Sequence, residues 1–131
     1  MDIKLKEINR DDLKVGDTVG IASEVKWGWV TSFRHRRIYL ATIVKITPKR
    51  TKIETDQFGE HDKYERFYEY DNNAKKETEL AEKFAKIKKA IYKLDQFRNV
   101  HGLIHLRDED ILEMADYAEK IMEILDRYRK E

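Results

Sequence analysis

The residues best equipped for chemistry lie between Val25 and Ile53. Lys26-Trp27-Gly28-Trp29 is followed by Phe33-Arg34-His35-Arg36-Arg37 and then by Lys49-Arg50-Thr51-Lys52. Arginine forks paired hydrogen bonds onto phosphate, and aromatic rings give unpaired bases a surface to stack on. These properties make Lys26, Trp27, Arg34, His35, Arg36, Arg37, Lys49, Arg50 and Lys52 the candidate contacts for nucleic acid. Trp, Tyr and Arg also dominate the energetic centres of protein interfaces. An acidic protein surface is therefore the other partner that this segment fits.

The charge pattern supports a polyanion or an acidic partner. The chain carries 27 Lys/Arg against 26 Asp/Glu, a net charge of +1. Residues 1–24 hold four bases and six acids, residues 25–53 eight bases and no acid, and residues 54–72 two bases and seven acids. Residues 73–131 hold thirteen of each. A run of 29 residues without a carboxylate needs counter-charge. Either the acidic stretch folds against it, or a partner supplies the negative charge.

Other chemistry is poorly supplied. His101 and His105 have the i, i+4 spacing that could bring two imidazoles together on a helix, but Gly102 lies between them and no third ligand is identifiable. Glu60, Asp62, Glu65 and Glu69 read as a solvated acidic edge rather than an acid–base pair. There is no cysteine, which excludes disulfides, thiol catalysis and cysteine-based zinc sites. Only five glycines are present, with no P-loop, no glycine-rich dinucleotide turn and no GxSxG elbow. The sequence predicts a binding protein that is not an enzyme and uses neither metal nor cofactor.

The elements that position the basic segment follow from periodicity. Gly16-Asp17 is a tight turn, and Val19 and Ile21 share one face of the strand after it. From residue 24 to 34 the pattern alternates, with Val25, Trp27, Trp29, Thr31 and Phe33 on one face. That face is either the core or an aromatic platform. Arg34 to Arg37 reads as a solvated connection, and residues 38–46 as a β-branched central strand. Thr47-Pro48-Lys49-Arg50 is a turn, since Pro48 cannot donate to a ladder. Thr51–Thr55 returns, Gln57-Phe58-Gly59-Glu60 turns again, and Lys63–Tyr70 is the last strand. Five short strands joined by tight turns suit a small barrel, whose closure removes exposed sheet edges.

Beyond Asp71-Asn72-Asn73, a turn and helix-cap signal, the period becomes helical. Leu80, Phe84, Ile87, Ile91 and Leu94 form one apolar seam, and Ile111, Met114, Ala118, Ile121, Leu125 and Tyr128 another. Asp108 is the expected N-cap of the second helix. The connection from Arg98 to Arg107 is expected to tuck in Val100, Leu103, Ile104 and Leu106. The expectation is an antiparallel α-helical hairpin. Its narrow seams would bury little alone, so they pack on the barrel or make a homo-oligomer through Leu80, Phe84, Ile87, Ile91, Leu94, Ile111, Met114, Ile121 and Leu125.

Val15-Gly16-Asp17-Thr18-Val19, the run from Ala41 to Thr55 and Tyr64-Glu65-Arg66-Phe67 together resemble a small SH3-like or KOW-like barrel. A strand, then Lys45-Ile46-Thr47-Pro48-Lys49-Arg50-Thr51, then a second strand is similar to uncharacterised phage and prophage proteins with such a barrel followed by two helices. The resemblance covers most of the chain and carries no catalytic residues. The chain departs from that pattern in its longer Trp-rich segment 24–37 and its longer helices. The resemblance implies an α+β protein: a five-stranded SH3-like β-barrel in residues 1–72, then a helical hairpin in residues 73–131. It also implies a second role, that of a phage-type accessory protein that inhibits or redirects a host nucleic-acid-handling or defence enzyme.

At 131 residues and 15.8 kDa the chain has room for one domain, or one with an appendage. No apolar run approaches the roughly 20 residues of a membrane span, and Met1-Asp2-Ile3-Lys4-Leu5-Lys6 lacks a signal-peptide core. A cytoplasmic protein without membrane contact is expected.

Overall fold

A computed structural model describes residues 3–98 and 102–128. The protein is mixed α+β, with six antiparallel strands and two α-helices among the described residues. The strands are β1 (Glu7–Ile8), β2 (Thr18–Trp27), β3 (Thr31–Ile46), β4 (Ile53–Thr55), β5 (Gly59–His61) and β6 (Phe67–Tyr68). The helices are α1 (Asn72–Arg98) and α2 (Asp108–Asp126). The chain forms two compact units that divide between Lys88 and Lys89, so the first holds the sheet and the start of α1.

The sheet is open, in the order β1-β6-β2-β3-β4-β5, rather than the closed five-stranded barrel expected from the sequence. Its strand boundaries differ for a local reason. Gly28 adopts φ +79°, a left-handed conformation that suits glycine and turns the chain. The alternating segment 24–34 therefore splits. Its first part completes β2, and its second part runs through Arg34–Arg37 into the 16-residue β3. The four residues expected to form a connection lie mid-strand, with Arg37 opposite Ser23 and Arg36 opposite Glu24. Two-residue β1 and three-residue β5 are too short to leave a periodic signal.

The core lies beneath the middle of the sheet. Leu13, Val19, Ile21, Ala41, Ile43, Ile53 and Phe67 are buried together, with Ile8 and Ile46 packed against them. Val19 and Ile21 share this face as their spacing predicts. Gly20 lies on the other face, where a Cβ would fall 2.6 Å from Ile38 Cγ2 and 3.2 Å from the Tyr68 carbonyl oxygen. Its lack of a side chain lets β2 approach β3 and β6. A pair of arginines ties the loops to the sheet. Arg10 donates to the carbonyls of Arg50 (3.0 Å), Glu65 (3.1 Å) and Asp62 (2.6 Å). Arg50 donates in return to the carbonyls of Arg10 (3.1 Å) and Leu13 (2.8 Å).

Asp71 caps α1, accepting from the Ala74 amide at 2.9 Å. The face that α1 lays against the β2–β3 hairpin is not the leucine-isoleucine seam. Ala74, Glu77 and Ala81 are its buried residues. Thr78 accepts from the Ile38 amide (2.8 Å), Phe84 stacks on Phe33 with ring centroids 3.9 Å apart, and Lys88 donates to the Lys26 carbonyl (2.5 Å). Small alanines let the helix backbone approach the strands, which an apolarity count over Leu, Ile and Phe does not register. Leu80 and Phe84 are half-buried, whereas Ile87, Ile91 and Leu94 are exposed.

In the second unit the seam of α2 stays open to solvent. No residue of α2 is buried, and Ile111, Met114, Ile121 and Leu125 are all exposed. Arg107 rather than Asp108 occupies the N-cap position, and Asp108, Glu109 and Asp110 fill the first turn, where negative charge suits the helix end. Leu103 and Leu106 are half-buried around an apolar hollow of about 210 Å³ that Leu94, Phe97 and Met114 also line. Ile104 is exposed. Val100 and His101 lie outside the described residues. No helix among the described residues is long and apolar enough to cross a membrane.

Candidate nucleic-acid interface

The long β2–β3 hairpin carries most of the predicted contacts but sorts them into three groups. The first group is neutralised within the fold. His35 is 7 % exposed and Glu77 4 %, and His35 Nδ1 lies 2.5 Å from Glu77 Oε1. A carboxylate only accepts, so Nδ1 donates. Glu77 Oε2 accepts from the Arg36 amide (3.2 Å), and the Arg36 Nε lies 3.9 Å away. Arg37 Nε donates to Glu82 at 2.6 Å, and this contact raises the Arg37 pKa above its ordinary value. Lys26 pairs with Glu24 (3.0 Å) and Lys52 with Glu60 (3.7 Å). The Lys26 and Ser32 hydrogen bonds hold the Glu24 carboxyl below its usual range. Arg50, spent on two backbone carbonyls, acts as a clamp rather than a surface contact. Much of the missing counter-charge thus comes from α1, through Glu77 and Glu82. Glu60 is the member of the acidic stretch that forms an ion pair with the basic segment among the described residues.

A second group remains open. Arg34 is exposed, with its guanidinium 5.1 Å from the Phe33 ring centroid and, among the described residues, no carboxylate at ion-pair distance. Lys49 is likewise exposed and without an ion pair among the described residues. Arg34 and Arg36 line an open groove of about 520 Å³ together with two cations outside the predicted set, Lys4 and Arg66. Arg36 reaches over the Tyr68 ring at 5.3 Å. Glu7, 3.8 Å from Arg66, and the buried Glu77 are the groove's carboxylates. Among the described residues four cations face two acids, Glu7 beside Arg66 and Glu77, which meets His35 and lies 3.9 Å from Arg36. A neighbouring hollow of about 590 Å³ shares Glu7 and Arg66 and adds Arg10, Lys63 and Glu65, so its charges are more nearly balanced.

The third group is the hairpin tip. Trp29 is 100 % exposed and Val30 nearly so. Trp29 therefore leaves the core, because the turn at Gly28 lifts it clear of the sheet. Trp27 is half-exposed, its ring tilted against Phe84 with centroids 5.9 Å apart. Sequence reasoning missed Lys4 and Arg66, which lie far from the basic run in the chain. The antiparallel placement of β6 beside both β1 and β2 brings them to it.

Of the acidic residues read as a solvated edge, Glu65 is committed. It meets Nδ1 of the buried His61 at 2.5 Å, and His61 Nε2 lies 2.9 Å from Thr55 Oγ1. That connectivity matches a nucleophile–base–orienting-acid relay. Thr55 and His61 are 2 % and 3 % exposed, however, and the triplet ties β4 and β5 to the turn that follows them. Among the described residues no cluster of three or more His, Cys, Asp or Glu could hold a metal ion.

These features define a small α+β protein with a groove lined by Lys4, Arg34, Arg36, Arg66 and Tyr68. Residues 6–76 match the family model described as Domain of unknown function (DUF7205), and the chain belongs to that family. The match takes in the whole sheet and the first turn of α1. No curated protein and no solved structure matches the chain.

Proposed function

We propose that the protein is a non-catalytic binding module that holds single-stranded nucleic acid in the groove of Lys4, Arg34, Arg36 and Arg66. The observation that supports it most is Arg34, an exposed arginine in a groove where, among the described residues, it has no carboxylate partner and cations outnumber acids. Guanidinium groups in such a groove meet phosphates, while Trp29 at the hairpin tip offers a base a free ring face. The remaining cations of the hairpin are mostly paired within the fold and contribute to its stability instead.

Titration of fluorescent DNA and RNA oligonucleotides across a salt series tests this. Affinity should fall log-linearly with salt. Replacing Arg34 and Arg66 with Ala should lower the slope by roughly one for each phosphate that is no longer neutralised. Trp29→Ala should weaken binding by about 1–3 kcal/mol with the slope unchanged. Arg37→Ala should leave the slope as it is, because Glu82 already neutralises that side chain. Absence of binding at low salt overturns the proposal.

A second reading rests on Trp29 and Val30 alone. An exposed tryptophan beside a β-branched residue is the composition of a protein-interface anchor, as in a phage-type accessory protein that occupies a host enzyme. A partner captured from nuclease-treated lysate by the wild-type chain, but not by Trp29→Ala, would favour it over the first.

A further inference from the structure

The second unit poses a separate problem from the groove. Around α2, Ile111, Met114, Tyr117, Ala118, Ile121, Met122, Ile124 and Leu125 occupy about half of the helix circumference at 100° per residue. That is wider than the seam that one neighbouring helix covers, and it is the width found on helices that pack in a bundle. Every one of these residues is exposed. Apart from the edge at Met114, which shares a hollow with Leu94 and Phe97, this face is open to solvent. On α1 the stripe of Ile87, Ile91, Leu94 and Phe97 is exposed as well.

Charge distinguishes the two stripes. The balance of residues 73–131 hides a division between the helices. From Lys83 to Arg98, α1 carries six Lys/Arg and one acid, Asp95. Across its 19 residues α2 carries eight Asp/Glu and one base, Lys120. At the borders of the α2 stripe stand Glu113 and Glu119, and at one border of the α1 stripe Lys86 and Lys93. All four are exposed, and none is in an ion pair among the described residues. One chain thus carries both an acidic apolar face and a basic apolar face, each largely open to solvent.

We infer that the chain forms a twofold dimer in which α2 of each copy lies on the C-terminal half of α1 of the other, making a four-helix bundle. A second copy is the occupant that the charges select. A face as acidic as α2 repels nucleic acid, whereas the α1 of another copy supplies the opposite charge beside an apolar stripe. Twofold symmetry uses both faces twice and leaves neither exposed. The hollow between Phe97, Leu103 and Met114 then receives an apolar side chain from the second copy.

Sedimentation of the full-length chain tests the arrangement. The wild type should sediment as a dimer in the micromolar range. The double variant Glu113→Lys/Glu119→Lys should be monomeric, and so should Lys86→Glu/Lys93→Glu, each with the wild-type cooperative unfolding of its sheet unit. An equimolar mixture of the two variants should restore the dimer, since each then presents the charge that the other lacks. A monomeric wild type overturns the inference. So does a dimer that survives either reversal, or a mixture that stays monomeric while both variants remain folded.

Discussion

The sheet unit and the helical unit both hold many apolar residues but use them in opposite ways. In the first, Leu13, Val19, Ile43, Ile53 and Phe67 are almost completely removed from water. In the second, Ile91, Leu94, Ile111, Ile121 and Leu125 face it. The polar groups diverge too. The sheet unit buries His35, His61, Thr55 and Glu77, each with a hydrogen-bond partner, while no residue of α2 is buried. Buried polar groups need matched partners, because removing one leaves the other with its full desolvation penalty. The sheet unit is consequently a specified object by itself. The helical unit keeps its apolar residues at the surface.

The sharpest test of this contrast is a pair of truncations. Phe67→Ala should destabilise the sheet by about 3–5 kcal/mol in chemical denaturation. Ile121→Ala, measured at a dilution where the chain is monomeric, should change stability by no more than about 0.5 kcal/mol. Equal effects would mean that α2 is packed in solution.

A second pair separates buried from exposed charge within the sheet unit. Glu77→Ala leaves His35 and the Arg36 amide without their acceptor and should cost about 3 kcal/mol. Glu82→Ala, which removes the partly exposed Arg37 pair, should cost less than about 1 kcal/mol. If the two denaturation midpoints fall equally, Glu77 is not the keystone of the α1–hairpin contact.

The glycines provide a third. Gly20→Ala drives a methyl group into Ile38 and towards the Tyr68 carbonyl, and should cost about 1–3 kcal/mol. Gly28→Ala meets no atom within 4 Å and carries only the left-handed strain of its φ, about 1 kcal/mol. A larger loss at Gly28 would show that the turn, rather than the strand approach, holds the hairpin.

The smallest effect concerns pH. The Glu24 carboxyl is held below its usual range by Lys26 and Ser32, so its contribution is present above the unfolded pKa and disappears as pH falls through the lower folded value. Glu24→Gln should therefore flatten the acid limb of the stability–pH curve slightly in that interval and leave its slope near neutrality unchanged.

Much of the architecture is legible in the residues. Alternation around Val19 and Ile21 places the core face, the Gly16-Asp17 and Pro48 turns punctuate the strands, and Asp71 marks the start of α1. The basic character of 25–53 is equally plain. The helical period identifies both helices to within a few residues, since spacing of three and four is a local property of the chain.

Three-dimensional proximity decided the rest. No local pattern says that Glu77 will accept from His35 and the Arg36 amide, or that Glu82 will pair with Arg37, because those partners meet only when α1 lies along the hairpin. Nor does it say that Lys4 and Arg66 will join Arg34, since β6 must first pair with both β1 and β2. Trp27 and Trp29 share a face by alternation, yet one glycine at positive φ sends Trp29 into solvent. Side-chain spacing determines which residues share an element's face. Which face is buried, and which charges remain free, depends on contacts between residues tens of positions apart.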